Sequence, residues 1–162
     1  MRIGIDAWAL RSAGGVSRHL RSLLCAMAAR SEGQEWILYG GGPRPEGIPE
    51  RAAWRAGRRA AGRLWWEQWG LRRAYARDRV EVAHHPKGSA PLAGAGVPLV
   101  VTVHDLLPVT HPETETFWAR RYWSLQLRGL PGADRIITVS EHSRRAFLSR
   151  VDFPADRVHV IP

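Results

Sequence analysis

At 162 residues with 44% apolar side chains, the chain has room for one domain with a real core, too little for two ordinary ones, and a composition that argues against disorder. No apolar run approaches the roughly 20 residues of a membrane span, and MRIGIDAWAL lacks the charged and long apolar stretches of a secretion signal, so a cytoplasmic protein is expected. The net charge of +9, carried by arginine everywhere except Lys87, is either compositional or suited to an anionic partner: a nucleotide diphosphate, a phospholipid surface or nucleic acid.

Arg2 to Ala7 alternates and is rich in β-formers, which predicts a strand. Gly14 and Gly15 then punctuate, and Val16, Leu20, Leu23, Leu24 and Met27 recur at helical spacing. Cys25, alone in the chain, sits on that helix and reads as a half-buried structural thiol, since no base or oxyanion pattern surrounds it. Glu35 to Tyr39 predicts a second strand, closed by three glycines and Pro43. Glu50 to Arg63, alanine and arginine interrupted by Gly57 and Gly62, predicts a helix or a mobile segment. Leu64 to Arg77 predicts a helix, Val80 to His84 a strand, Leu99 to His104 a central strand and Glu113 to Arg128 a long helix. Arg135 to Val139 predicts a strand, Ser140 caps a helix from Glu141 to Arg150, and Val158 to Ile161 begins one more strand. Such alternation implies an α/β fold with a parallel, doubly wound sheet and helices on both faces.

In a parallel sheet the carboxyl ends of all strands share one rim, where ligands bind. That rim collects Gly14 and Gly15, His84 and His85, His104 and Asp105, and Ser140 with Glu141. The glycine pair opens a helix and reads either as an anion-binding loop or as a tight turn, because neither a third fingerprint glycine nor a P-loop lysine follows. His104 reads as a hydrogen-bond donor or proton carrier near neutral pH, or as a histidine satisfied in its loop. His84, His85, Asp105 and His111 lack the spacing of a metal site. Ser140, in TVSEHS, lies outside the glycine-flanked hydrolase elbow and reads as a cap and a phosphate contact. Trp65, Trp66 and Trp69 with Arg63, Arg72, Arg73 and Arg77, and Phe117, Trp118, Tyr122 and Trp123 with Arg120, Arg121 and Arg128, suit a membrane interface. The alternative is ordinary packing on the sheet, expected for at least two of the three tryptophans of the first group. No recognised nucleic-acid motif accompanies the arginines, and no nucleic-acid partner is expected.

The order GIDAWAL, GGVSRHLRSLL, WWEQW, HHPKGSAPL, VPLVVTVHDLLPVTHPE, ADRIITVSEHSRRAF and DRVHVIP resembles the N-terminal domain of a family 4 glycosyltransferase of the GT-B fold, over nearly the whole chain. The resemblance implies a Rossmann-like domain filling residues 1–162, the acceptor-side half of an enzyme that moves a hexose, with retention, from a nucleotide sugar to a polysaccharide or glycolipid acceptor. It implies that His104 faces the donor sugar and that Gly14 and Gly15 approach the diphosphate and the acceptor. Asp105, Ser140 and Glu141 match further cleft positions, and Glu67, His85 and Lys87 match acceptor-side segments. No metal or other cofactor is implied. The expected partners are a C-terminal nucleotide-sugar-binding domain, in the same or another chain, the nucleotide sugar, a glycan or lipid-linked acceptor, and the inner membrane face as a peripheral surface. Stabilising a departing diphosphate needs preorganised positive charge, which the family keeps in that second domain, so residues 1–162 alone are expected to be inactive. The competing reading is a stand-alone module that binds a phosphorylated ligand, or one subunit of a split transferase; fold alone does not choose.

Overall fold

A computed structural model describes residues 1–11, 13–30, 33–41, 46, 47, 49, 52–57, 62–106, 113 and 115–162. Seven strands, β1 (Arg2–Asp6), β2 (Glu35–Gly41), β3 (Ala52–Gly57), β4 (Val82–His85), β5 (Leu99–Val103), β6 (Arg135–Thr138) and β7 (Val158–Val160), form one sheet in the order β3-β2-β1-β4-β5-β6-β7. Every pairing is parallel: Ile5 lies between Leu38 and His84, and Val101 between His85 and Ile136. The strands are short and largely apolar because both faces of a parallel sheet are covered.

Alternation along β2 separates the two faces. Trp36 and Leu38 join Ile5, Leu20 and Leu24 under α1 (Gly15–Arg30), whereas Ile37 and Tyr39 join the core of the other face. That second core takes Leu71, Ala74 and Tyr75 from the helix that ends at Arg77, Leu130 just past α3 (Phe117–Gly129), and Phe147 from α4 (Glu141–Leu148). The helix α2 comprises Arg63–Trp65, a π-helical turn Trp66–Gly70 and Leu71–Arg77. Its companion α3 begins at Phe117, not Glu113, because the Thr116 hydroxyl caps it by accepting from the Ala119 amide at 3.3 Å. No helix among the described residues is long and apolar enough to cross a membrane.

Three expectations are corrected. Ala52–Gly57 is a strand, not a helix or a mobile segment: its alanines and arginine favour helix intrinsically, but pairing with β2 from Trp36↔Ala52 to Gly41↔Gly57 overrides propensity. Gly40 permits this edge to close, since a side chain there would run into the Trp54 ring. Cys25 is exposed, not half-buried, because α1 buries the stripe Ser17, Leu20 and Leu24, and the next residue points about 100° away. Trp65 and Trp69 are 46% and 50% exposed and only Trp66 turns partly inward. The wider π turn shifts the register, so Glu67 and Gln68 face the interior in their place.

Candidate active site

The strand order reverses between β1 and β4, so the crevice for a ligand opens beyond their carboxyl ends. From β1 the chain runs through Asp6 into a short 3₁₀ turn, Trp8–Arg11, and then into α1. A Cβ on Gly14 or on Gly15 would meet nothing within 4 Å. Among the described residues, nothing crowds the space before the first turn of α1.

His104 follows β5 on the same rim. Its Nε2 lies 3.0 Å from the carbonyl oxygen of Pro86, which only accepts, so Nε2 carries the proton and Nδ1 is the acceptor of the neutral ring. Burial, then the neighbouring His19, hold its pKa below the ordinary value, and the Pro86 bond and Asp105 oppose them. The two rings meet edge to face at 4.8 Å. Neighbouring His84 bonds Thr102 Oγ1 at 2.9 Å, and burial pushes its pKa down to about 4. His85 keeps both nitrogens inside the protein: Nδ1 donates to the Ser89 carbonyl at 2.9 Å, which leaves Nε2 to accept from the Tyr75 hydroxyl at 3.0 Å.

Glu67 is buried and held from three sides. Arg63 Nε donates to it at 2.6 Å, the Tyr122 hydroxyl at 3.0 Å and Gln126 Nε2 at 3.1 Å. Burial alone would lower the Arg63 pKa, but Glu67 keeps it above its ordinary value, while burial and then Glu67 raise that of Tyr122. This network ties α2 to α3. Lys87, just after β4, sits 5.9 Å from the centre of the Trp123 ring; burial and then Arg63 lower its pKa, with Glu67 and Asp6 opposing.

Two cavities share Val16 and Lys87. One, of about 240 Å³, is lined by His104, Asp105, Gly88 and Trp123; the other, of about 360 Å³, by Trp8, Arg11, Gly14, Gly15 and Arg63. The fold thus brings Gly14, Gly15, Lys87, His104 and Asp105 together, with Glu67 and His85 buried behind them. Ser140 and Glu141 line neither cavity. Ser140 caps α4 by accepting from the Ser143 amide at 3.1 Å, and Ser143 Oγ in turn donates to the His104 carbonyl at 3.0 Å. Glu141 is exposed, 3.7 Å from Arg144. His111 lies outside the described residues. Sequence reasoning passed over Asp6, Trp8, Arg11 and His19, and read Arg63 as part of a membrane-facing group and not as a wall of this cavity; the position of Asp6 and Trp8 at the end of β1 was the available signal.

The fold and the rim define a Rossmann-like α/β domain with a ligand cleft at the switch point of its sheet. Residues 13–162 match the family model Glycosyltransferase Family 4, and the chain belongs to that family. It is similar in fold to GT-B glycosyltransferase structures. Anabaena Alr3699/HepE in complex with UDP and glucose has a TM-score of 0.59 at 16% identity, over 99% of this chain and 43% of that one. A glycosyltransferase from Rickettsia africae has a TM-score of 0.54 at 13% identity, over 99% and 42%. The UDP-GlcNAc 2-epimerase of Methanocaldococcus jannaschii reaches 0.55 at 8% identity, over 99% and 45%. The chain thus spans less than half the length of these proteins, and at such identities the likeness concerns the fold alone. A comparison with curated protein sequences finds no match.

Proposed function

We propose that this domain forms the acceptor-side half of the cleft of a retaining glycosyltransferase. The enzyme moves a hexose from a nucleotide sugar to a polysaccharide or glycolipid, without a metal. The observation that carries this reading, within a chain of Glycosyltransferase Family 4, is the meeting of the open Gly14 and Gly15 turn with His104 across two cavities that share Lys87. His104, neutral and with Nδ1 unoccupied by the Pro86 bond, accepts a hydrogen bond from a hydroxyl of the transferred sugar. The glycine turn leaves room for the acceptor and the donor's phosphates to approach α1. The positive charge that stabilises the departing diphosphate comes from a nucleotide-binding domain, in the same or another chain.

Exposed Trp65 and Trp69 on α2, and Phe117 and Trp118 on α3, with Arg73 and Arg121 stacked on members of each pair, support peripheral contact with an anionic membrane surface. The test of the transferase reading is release of nucleoside diphosphate from nucleotide sugars, in the presence of glycan or glycolipid acceptors, by residues 1–162 with and without the nucleotide-binding domain. Release that needs both parts and drops about tenfold or more in His104→Ala supports the reading. Transfer by residues 1–162 alone, or indifference to His104→Ala, overturns the assigned division of labour.

A further inference from the structure

The cavity before Gly14 and Gly15 has a one-sided charge pattern. Among the described residues that line it, Arg11, Arg63 and Lys87 are basic and none is acidic. The carboxylates nearest in charge, Asp6 and Glu67, are each 3% exposed and line neither cavity. Glu67 is engaged by Arg63, Tyr122 and Gln126, and Asp6 accepts from the Trp8 amide at 3.1 Å. The acids thus sit behind the wall and the bases form its surface.

Trp8 organises that surface. The guanidinium carbons of Arg11 and Arg63 lie 5.1 and 5.4 Å from the centre of its ring, so one indole holds two cations at the same cavity. Arg63 is further fixed by its bond to Glu67, so part of its planar fork is oriented before any ligand arrives. Lys87, by contrast, has only the Trp123 ring against its ammonium among the described residues. A partly desolvated ammonium without an oxygen partner has bonding capacity that an incoming anion can use.

We propose that the acceptor carries a negative group, a phosphate or a carboxylate, and that Arg11, Arg63 and Lys87 select it at this wall. The word acceptor rests on the transferase reading; the anion preference of the cavity does not. An oxyanion here gains charge-assisted hydrogen bonds to Lys87 and the arginines, whereas a neutral sugar of the same shape leaves three cations without new partners.

The experiment compares glucose 6-phosphate with glucose by titration calorimetry, with and without saturating UDP, in the unaltered protein and in Lys87→Met, Lys87→Arg and Arg11→Gln. Expected is preferential binding of the phosphate, weakened about tenfold or more in Lys87→Met, the worth of one charge-assisted bond. Binding should be largely restored in Lys87→Arg and unchanged by UDP. Equal binding of glucose, or no loss in Lys87→Met and Arg11→Gln, overturns the proposal. One-for-one competition by UDP overturns the acceptor assignment and gives the wall to the donor's diphosphate. Retained phosphate binding with no sugar transfer even when residues 1–162 are combined with the nucleotide-binding domain overturns the transferase reading and leaves the anion wall standing.

Discussion

The two rims of the sheet treat their polar groups in opposite ways. On the amino rim they are spent on one another: Arg2 Nε on Glu35 at 2.8 Å, the Tyr39 hydroxyl on Asp78 at 2.8 Å, Arg77 Nε on Asp78 at 2.9 Å, and Asp134 on the Leu99 amide at 2.8 Å. On the carboxyl rim Asp6 and Glu67 turn inward, while among the described residues Lys87 and Arg11 meet aromatic rings and His104 uses one nitrogen on Pro86. The first arrangement closes a fold. The second leaves bonding capacity that a ligand could use, and the contrast singles out the candidate site without any appeal to depth, because depressions also exist on the amino side, around Met1 and Trp36 and around Arg2 and Asp78.

The contrast can be broken most severely at Gly15. Gly15→Val places a branched side chain in open space before α1, so transfer by the complete enzyme should be abolished while the melting temperature barely moves, at a cost under about 1 kcal/mol. Parallel loss of activity and stability would make Gly15 a folding residue and the turn an ordinary one. Behind the rim, Glu67→Ala strands the buried Arg63 charge and two further donors; chemical denaturation should register a loss of about 3–5 kcal/mol. A loss below about 1 kcal/mol would mean that water replaces the carboxylate, and that the wall is less dry than its geometry implies.

His84 sharpens the comparison through pH. Its folded-state pKa of about 4 lies below the ordinary 6.5, so the folded protein binds its proton less readily than the unfolded chain. The stability it contributes is fully present above pH 6.5 and is lost as pH falls towards 4, on the order of 3 kcal/mol across that window. Denaturation curves at pH 7 and pH 4.5 read this directly, and His84→Gln should flatten the difference. The smallest effect belongs to the amino rim, where Glu35→Ala removes an exposed ion pair and should cost less than about 1 kcal/mol, with no change in transfer. Any loss of activity there would erase the distinction between the rims.

Much of the architecture was legible because strands and amphipathic helices announce themselves by periodicity, and because a parallel sheet sends every strand's exit to one side. Gly14, Gly15, His104 and Asp105 were found by that rule alone. The rule failed where local signals are weak or contradictory. Ala52–Gly57 falls in a stretch that reads as a helix or a mobile segment from its alanines and glycines, and it is a strand because β2 offers an edge. In the WWEQW segment at least two of the three tryptophans read as packed inward, yet the π turn leaves Trp65 and Trp69 exposed and makes Glu67 the buried junction between α2 and α3. Arg63 and Arg11 were two among many arginines until Trp8 gathered them at one cavity.

The amino-acid sequence by itself determined the α/β class, the parallel order of its elements, the membership of a glycosyltransferase family and the strand-end position of its histidines and glycines. These follow from local periodicity and from motifs contiguous in the chain. Only the tertiary structure decided which charges are neutralised and which remain available, because that depends on Glu67 meeting Tyr122 and Gln126 across 55 and 59 residues, and on Lys87 meeting Trp123. Pairing of that kind is set by the packing of whole helices on the sheet, and no window of neighbouring residues contains it.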